Sequence, residues 1–138
     1  MWWLYALLSA FFAALTAVLA KVGIKGVDSN LATAVRAVVI LLLAWSIVYF
    51  RGGLAEIHTL THNNLLFLVL SGLATGLSWV FYFRALQLGQ VSQVAPVDKL
   101  SVALAIILSV VFLGEKLTWQ TALGAGLIIA GSLVLVRA

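Results

Sequence analysis

Four ionisable side chains interrupt otherwise apolar stretches of this sequence: Arg36, Arg84, Asp98 and Lys99. A charge at mid-bilayer costs roughly 2.5–3.5 kcal/mol even on the mild insertion scale, so such residues face protein or water rather than hydrocarbon. Three cations against one carboxylate leave a surplus of positive charge, a setting that suits an anionic or zwitterionic solute. Lys99 follows Pro96, whose ring restricts the helix and frees backbone carbonyls, and this favours a cavity role for the lysine. Arg36 has two open readings, lining a cavity or snorkelling to the headgroups, whereas Arg84 at a span boundary is expected to snorkel. In the plainer alternative Asp98 pairs with Arg36 or Arg84. Trp79 and Tyr82 are three apart and so share a helix face. They either line a solute pocket or belong to an interfacial aromatic belt.

Other chemistry finds little support. Asp98 and Lys99 are adjacent and point about 100° apart on a helix, a poor geometry for shared acid–base work. No carboxylate pair, histidine-rich cluster or nucleophile–base spacing lies inside the apolar stretches, so an enzyme is not expected. His58 and His62 are four apart, a metal-binding spacing on a helix, but only Glu56 is nearby as a third ligand. Two solvated loop histidines are the simpler reading. The chain has no cysteine, which excludes disulfides and thiolate metal sites. No cofactor is implied.

The elements that position these residues follow from composition. Of 138 residues, 64% are hydrophobic and 9% charged, against about half apolar and a quarter charged in a soluble domain. The net charge of +4 arises from eight cations and four carboxylates. It reflects few acids and forms no nucleic-acid-binding stripe. A membrane helix needs about 20 apolar residues to cross roughly 30 Å of hydrocarbon. Charges and turn residues divide the chain into five such spans, at about 2–20, 31–50, 65–85, 92–114 and 118–136. Backbone polar groups in lipid must be satisfied within their own segment, so the spans are expected to be helices. Barrel strands of about ten alternating residues are absent. Residues 1–20 lack the basic start of a secretory signal and are expected to remain as a span.

In the long second connection, Leu54, Ile57 and Leu60 alternate with Glu56, His58 and Thr59, a pattern for a short interfacial helix. Five spans place Arg51 and Lys116 on the N-terminal side (side A) and Lys21, Lys25, Arg84 and Arg137 on the other (side B). The Lys/Arg bias puts side B in the cytoplasm only weakly. A chain that inserts both ways up shows such a weak bias. Trp2, Trp3, Tyr5, Trp45, Tyr49 and Trp119 fall near side A as an expected belt. Gly72 and Gly76 form a GxxxG spacing in the third span, and Gly124, Gly126, Ala130 and Gly131 form a small-residue stripe in the fifth. Small residues let helix backbones approach closely. Either stripe packs within the subunit or against a second one, and the fifth span is the better candidate for a subunit interface.

Arg36, the run Trp79-Val-Phe-Tyr-Phe-Arg-Ala-Leu-Gln-Leu-Gly89, the run Val91-Ser-Gln-Val-Ala-Pro-Val-Asp-Lys-Leu100, the exit Phe112-Leu-Gly-Glu-Lys-Leu117 and the glycine-rich 124–131 segment together carry a resemblance. Their order and spacing resemble the EamA family of the drug/metabolite transporter superfamily over nearly the whole chain. Most members have ten helices as two inverted five-helix repeats, and this chain resembles a half-size member with one repeat. The resemblance implies export or exchange of small polar or amphipathic metabolites by alternating access. Such a chain can recreate inverted repeats by pairing with an inverted copy of itself. The expected solute contacts are Lys99, Arg36, Asp98, Trp79 and Tyr82. Gly124, Gly126, Ala130 and Gly131 are expected at the dimer interface, in a bacterial or archaeal plasma membrane. Glu115 matches a recurring family glutamate and is expected to cap a helix or pair with Lys116. The first span has no acid, unlike the small multidrug-resistance relatives, which argues against their proton-coupled mechanism. A non-transporting membrane subunit that assembles with a partner protein is the alternative.

Overall fold

The structure, a computed structural model, describes residues 1–137. Six α-helices follow in order: α1 Trp2–Gly23, α2 Ser29–Phe50, α3 His62–Leu88, α4 Val91–Asp98, α5 Leu100–Leu113 and α6 Trp119–Arg137. Helices α4 and α5 are two parts of one apolar span, Val91–Leu113, so five spans are long and apolar enough to cross a membrane. No strand occurs among the described residues. The third span is longer than its apolar stretch. It opens on His62-Asn63-Asn64, and its 27 residues rise about 40 Å, more than a bilayer core, so the helix tilts or extends beyond the hydrocarbon.

Helix ends follow local chemistry. Asp28 caps α2, its Oδ1 accepting from the backbone N–H of Asn30 and of Leu31 at 3.0 Å each. Gly114 ends α5 at φ 68°, and the N–H groups of Gly114 and Glu115 return to the Ser109 carbonyl. Glutamate 115 therefore contributes its backbone to the helix end. The pairing with Lys116 expected from sequence does not form: among the described residues the ion pair is Lys99–Asp98. Gly52, at φ 74°, turns the chain out of α2 into a 3-10 helix, Gly53–Thr59. Side chains three apart eclipse in that geometry, so Leu54 and Ile57, both exposed, fall on one side, while Leu60 lies just beyond the helix in extended backbone. His58 belongs to the 3-10 helix and His62 opens α3, with Leu60 extended between them. The two histidines therefore do not share a helix.

The chain groups into two compact units. The first holds Met1–Lys21 and the residues from Leu88 onward. Within it α6 packs against α4 and α5. The residues buried on its helices are small: Ala17, Ala20, Ala103 and Ser132. Small side chains allow the close backbone approach that stands in for a hydrophobic drive in lipid. Lys21 at the end of α1 donates from Nζ to the Gly89 carbonyl at 2.7 Å. The second unit, Val22–Gln87, buries larger groups, with Phe83 at 1% and Leu86 at 0% exposed. Gln87 ties the end of α3 to the turn before α2, its Nε2 donating to the carbonyls of Val27 (2.6 Å) and Ile24 (3.3 Å).

Most apolar side chains on all five spans are exposed, as surfaces facing lipid or other helices must be. The tryptophans and tyrosines at the side A ends, Trp2, Trp3, Tyr5, Trp45, Tyr49 and Trp119, are all exposed, in keeping with an interfacial belt. Several hydroxyls inside the spans return to the carbonyl four residues back, as Thr33 does to Ser29, Ser46 to Leu42 and Thr75 to Ser71, so they need no partner from lipid.

Candidate functional site

In the first unit the site residues sit at a break in a helix. Pro96 has no N–H, so the Ser92 carbonyl loses its usual donor. Three residues on, the Lys99 N–H is shared between the Ala95 carbonyl at 3.3 Å and the Pro96 carbonyl at 3.1 Å. Lys99 sits at φ −70°, ψ −9°, between α4 and α5. The next bond, Val102 N–H to the Lys99 carbonyl at 3.0 Å, spans three residues rather than four, the tighter 3-10 spacing. The Pro96 carbonyl also accepts a bond from Ser132 Oγ of α6 at 2.8 Å. A buried serine thus holds the break from the neighbouring helix. Sequence reasoning passed over Ser132, although a polar residue midway along an apolar span is a signal for such a bond.

The charges at the break neutralise one another. Lys99 Nζ lies 3.6 Å from Asp98 Oδ2, with the side chains 56% and 36% exposed. The adjacency that makes this pair poor for acid–base work still allows an ion pair, because the long lysine side chain can bend toward the short aspartate. Asp98 thereby has a partner other than the arginines considered from the sequence. An exposed pair of this kind contributes between 0 and about 1 kcal/mol.

In the second unit Arg36, from the second turn of α2, lies between aromatic rings of α3. Its guanidinium carbon is 4.2 Å over the Phe83 ring and 5.7 Å from the Trp79 centroid. Both lie within the range of a cation–π attraction. Positions 79 and 83 are one helical turn apart, and the i, i+4 rule applied to Trp79 gives Phe83 directly. The sequence reading paired Trp79 with Tyr82 at i+3 instead. Tyr82 is half-buried and stands edge-on to Phe83, with centroids 5.7 Å apart. Nη1 of Arg36 is buried and has no hydrogen-bond partner within the protein. Arg84, one turn before the end of α3, is exposed and donates to Gln87 Oε1 at 3.2 Å. A cleft of about 350 Å³ in this unit is lined by Asp28, Ser29, Asn30, Val80, Phe81 and Arg84. None of the five expected solute residues lines it.

The small-residue stripe of α6 is open. Gly126, Ala130 and Gly131 are exposed and Gly124 is half-buried. A Cβ placed on Gly124, Gly126 or Gly131 would meet nothing within 4 Å, and the same holds for Gly72 and Gly76 on α3. The glycines of both stripes therefore leave open space beside their helices. No group of three or more histidine or acidic residues is arranged for a metal ion among the described residues.

The chain matches the EamA-like transporter family over residues 1–137. It is also similar to a Sinorhizobium protein described as an uncharacterized transporter in the cobO 3′ region. The two are 52% identical over 134 residues, which cover 97% of this chain and 95% of the relative. The relative, too, is therefore about the length of a single five-helix repeat. No solved structure matches. Five apolar spans, a fourth span broken at Pro96–Lys99 and a match along its described length make this multi-pass membrane protein a member of the EamA-like transporter family.

Proposed function

We propose that the chain is a secondary transporter of small polar or amphipathic metabolites, working by alternating access as an antiparallel homodimer. The observation that carries this reading is the broken fourth span. Transporters commonly place their substrate site where a span is interrupted, because the interruption frees backbone groups and lets one half-helix move against the other. Here the interruption carries an ion pair, Asp98–Lys99, that water or solute can reach. A dimer of inverted copies supplies the second repeat. The weak Lys/Arg bias suits it, and the open stripe Gly124, Gly126, Ala130 and Gly131 is the proposed seam. Lys99, Arg36, Asp98, Trp79 and Tyr82 are the residues proposed to meet solute.

The test is efflux or exchange in proteoliposomes containing the purified protein. Lys99→Ala should abolish flux while dimer assembly, read by crosslinking, stays intact. Unchanged flux would remove Lys99 from the site. No flux from the wild-type protein, together with a stoichiometric second protein on purification, would favour a non-transporting subunit.

A further inference from the structure

We propose that Arg36 is an anion-recognition point and that the solute it meets is an organic carboxylate with an apolar body. The proposal rests on the transporter reading and names the substrate class of that site. Three observations within the Val22–Gln87 unit converge on it. Arg36 Nη1 is buried and lacks a hydrogen-bond partner in the protein. A buried donor left unpaired is costly, more so when charged. The carboxylates of this unit are engaged or remote: Asp28 Oδ1 takes the two N–H groups that start α2, and Glu56 lies in the 3-10 helix beyond the opposite end of α2. No acid of the unit is placed to neutralise the guanidinium. Finally, Phe83 and Trp79 hold the guanidinium over their rings.

Aromatic rings attract a cation but do not replace an oxygen acceptor in the guanidinium plane. A carboxylate does, because its two oxygens match the planar fork of N–H donors. The same rings, with half-buried Tyr82 beside them, give an apolar solute body a surface to lie against. The residue must then be arginine for its shape as well as its charge. A lysine keeps the charge and loses both the fork and the stacked plane.

The probe is indole-3-acetate compared with the neutral indole-3-acetamide, which keeps the ring and removes the charge. Binding is read by saturation-transfer NMR on the purified protein at millimolar ligand. The carboxylate should bind and the amide should not. Arg36→Lys should weaken carboxylate binding by about tenfold to a hundredfold, the range for a lost charge-assisted bond. Arg51→Lys, at the other end of α2, should leave binding unchanged. Equal binding of acid and amide, no binding of either, or full binding by a folded Arg36→Lys protein each overturns the proposal. One lipid phosphorus per chain, retained through purification and lost in Arg36→Lys, would assign the anion to a headgroup and would overturn it too. Flux in proteoliposomes separates this claim from the one beneath it. Binding without flux contradicts the transporter reading, while wild-type flux that survives Arg36→Lys contradicts only the carboxylate site.

Discussion

Arg36 and Lys99 are both cations set inside membrane spans, yet the chain provides for them differently. Lys99 lies at a helix break, with an acid as its sequence neighbour 3.6 Å away and more than half its side chain exposed. Arg36 lies in an unbroken helix, over two aromatic rings, with a buried nitrogen that nothing in the protein satisfies. A paired, exposed cation is at ease without ligand. An unpaired, half-buried one is completed by something from outside. The contrast gives the two residues different work within the proposed transporter: Lys99 meets solute at the part that bends, and Arg36 is the point that recognises the anion.

Reciprocal conservative exchanges break this contrast most sharply. Arg36→Lys should lower carboxylate flux by about tenfold or more, whereas Lys99→Arg should keep flux within about threefold, because an exposed pair with Asp98 tolerates either cation. Equal losses in initial-rate flux would mean that the two sites do not differ. Next in size is Phe83→Leu, which keeps apolar volume and removes the ring. A cation–π contribution of roughly 0.5–2 kcal/mol predicts a rise in apparent KM of about twofold to thirtyfold. Phe81→Leu is the matched control, since Phe81 is 71% exposed and should leave KM unchanged.

Ser132→Ala probes the other region. An interhelical hydrogen bond in a membrane averages about 0.6 kcal/mol, so a loss of about threefold is expected. That loss should appear in maximal flux rather than KM if the serine steadies the break, and a change confined to KM would contradict the assignment. Asp98→Asn should have the smallest effect, under about fivefold. A large loss there would move the centre of recognition to the break.

Much of the fold was legible in the sequence, and the parts of the site that were not have physical causes. Five spans could be read because lipid demands long apolar runs, and a short helix in the second connection because Leu54, Ile57 and Leu60 alternate with polar residues; its 3-10 geometry was not. Pro96 announced a disturbance near Lys99, as a ring without an N–H must. The partners of the charges were harder. Asp98 bonds to its own neighbour, which depends on side-chain reach rather than helical facing. The Ser132 bond to Pro96 joins positions 36 residues apart in the chain, a separation that no periodicity encodes. Phe83 was within reach of the i, i+4 rule. That its ring lies under Arg36 depends on how α2 meets α3.

The proposed transporter depends on inverted copies, so the orientation of the C-terminus is the most direct measurement. The chain has no cysteine, and a single one added after Ala138 is a clean reporter. Cells or spheroplasts labelled with a membrane-impermeant maleimide are compared with lysed ones. Labelling near half of the total is the predicted result, since both orientations then coexist. Labelling near zero or near completion would mean one fixed orientation, and an antiparallel homodimer would be contradicted.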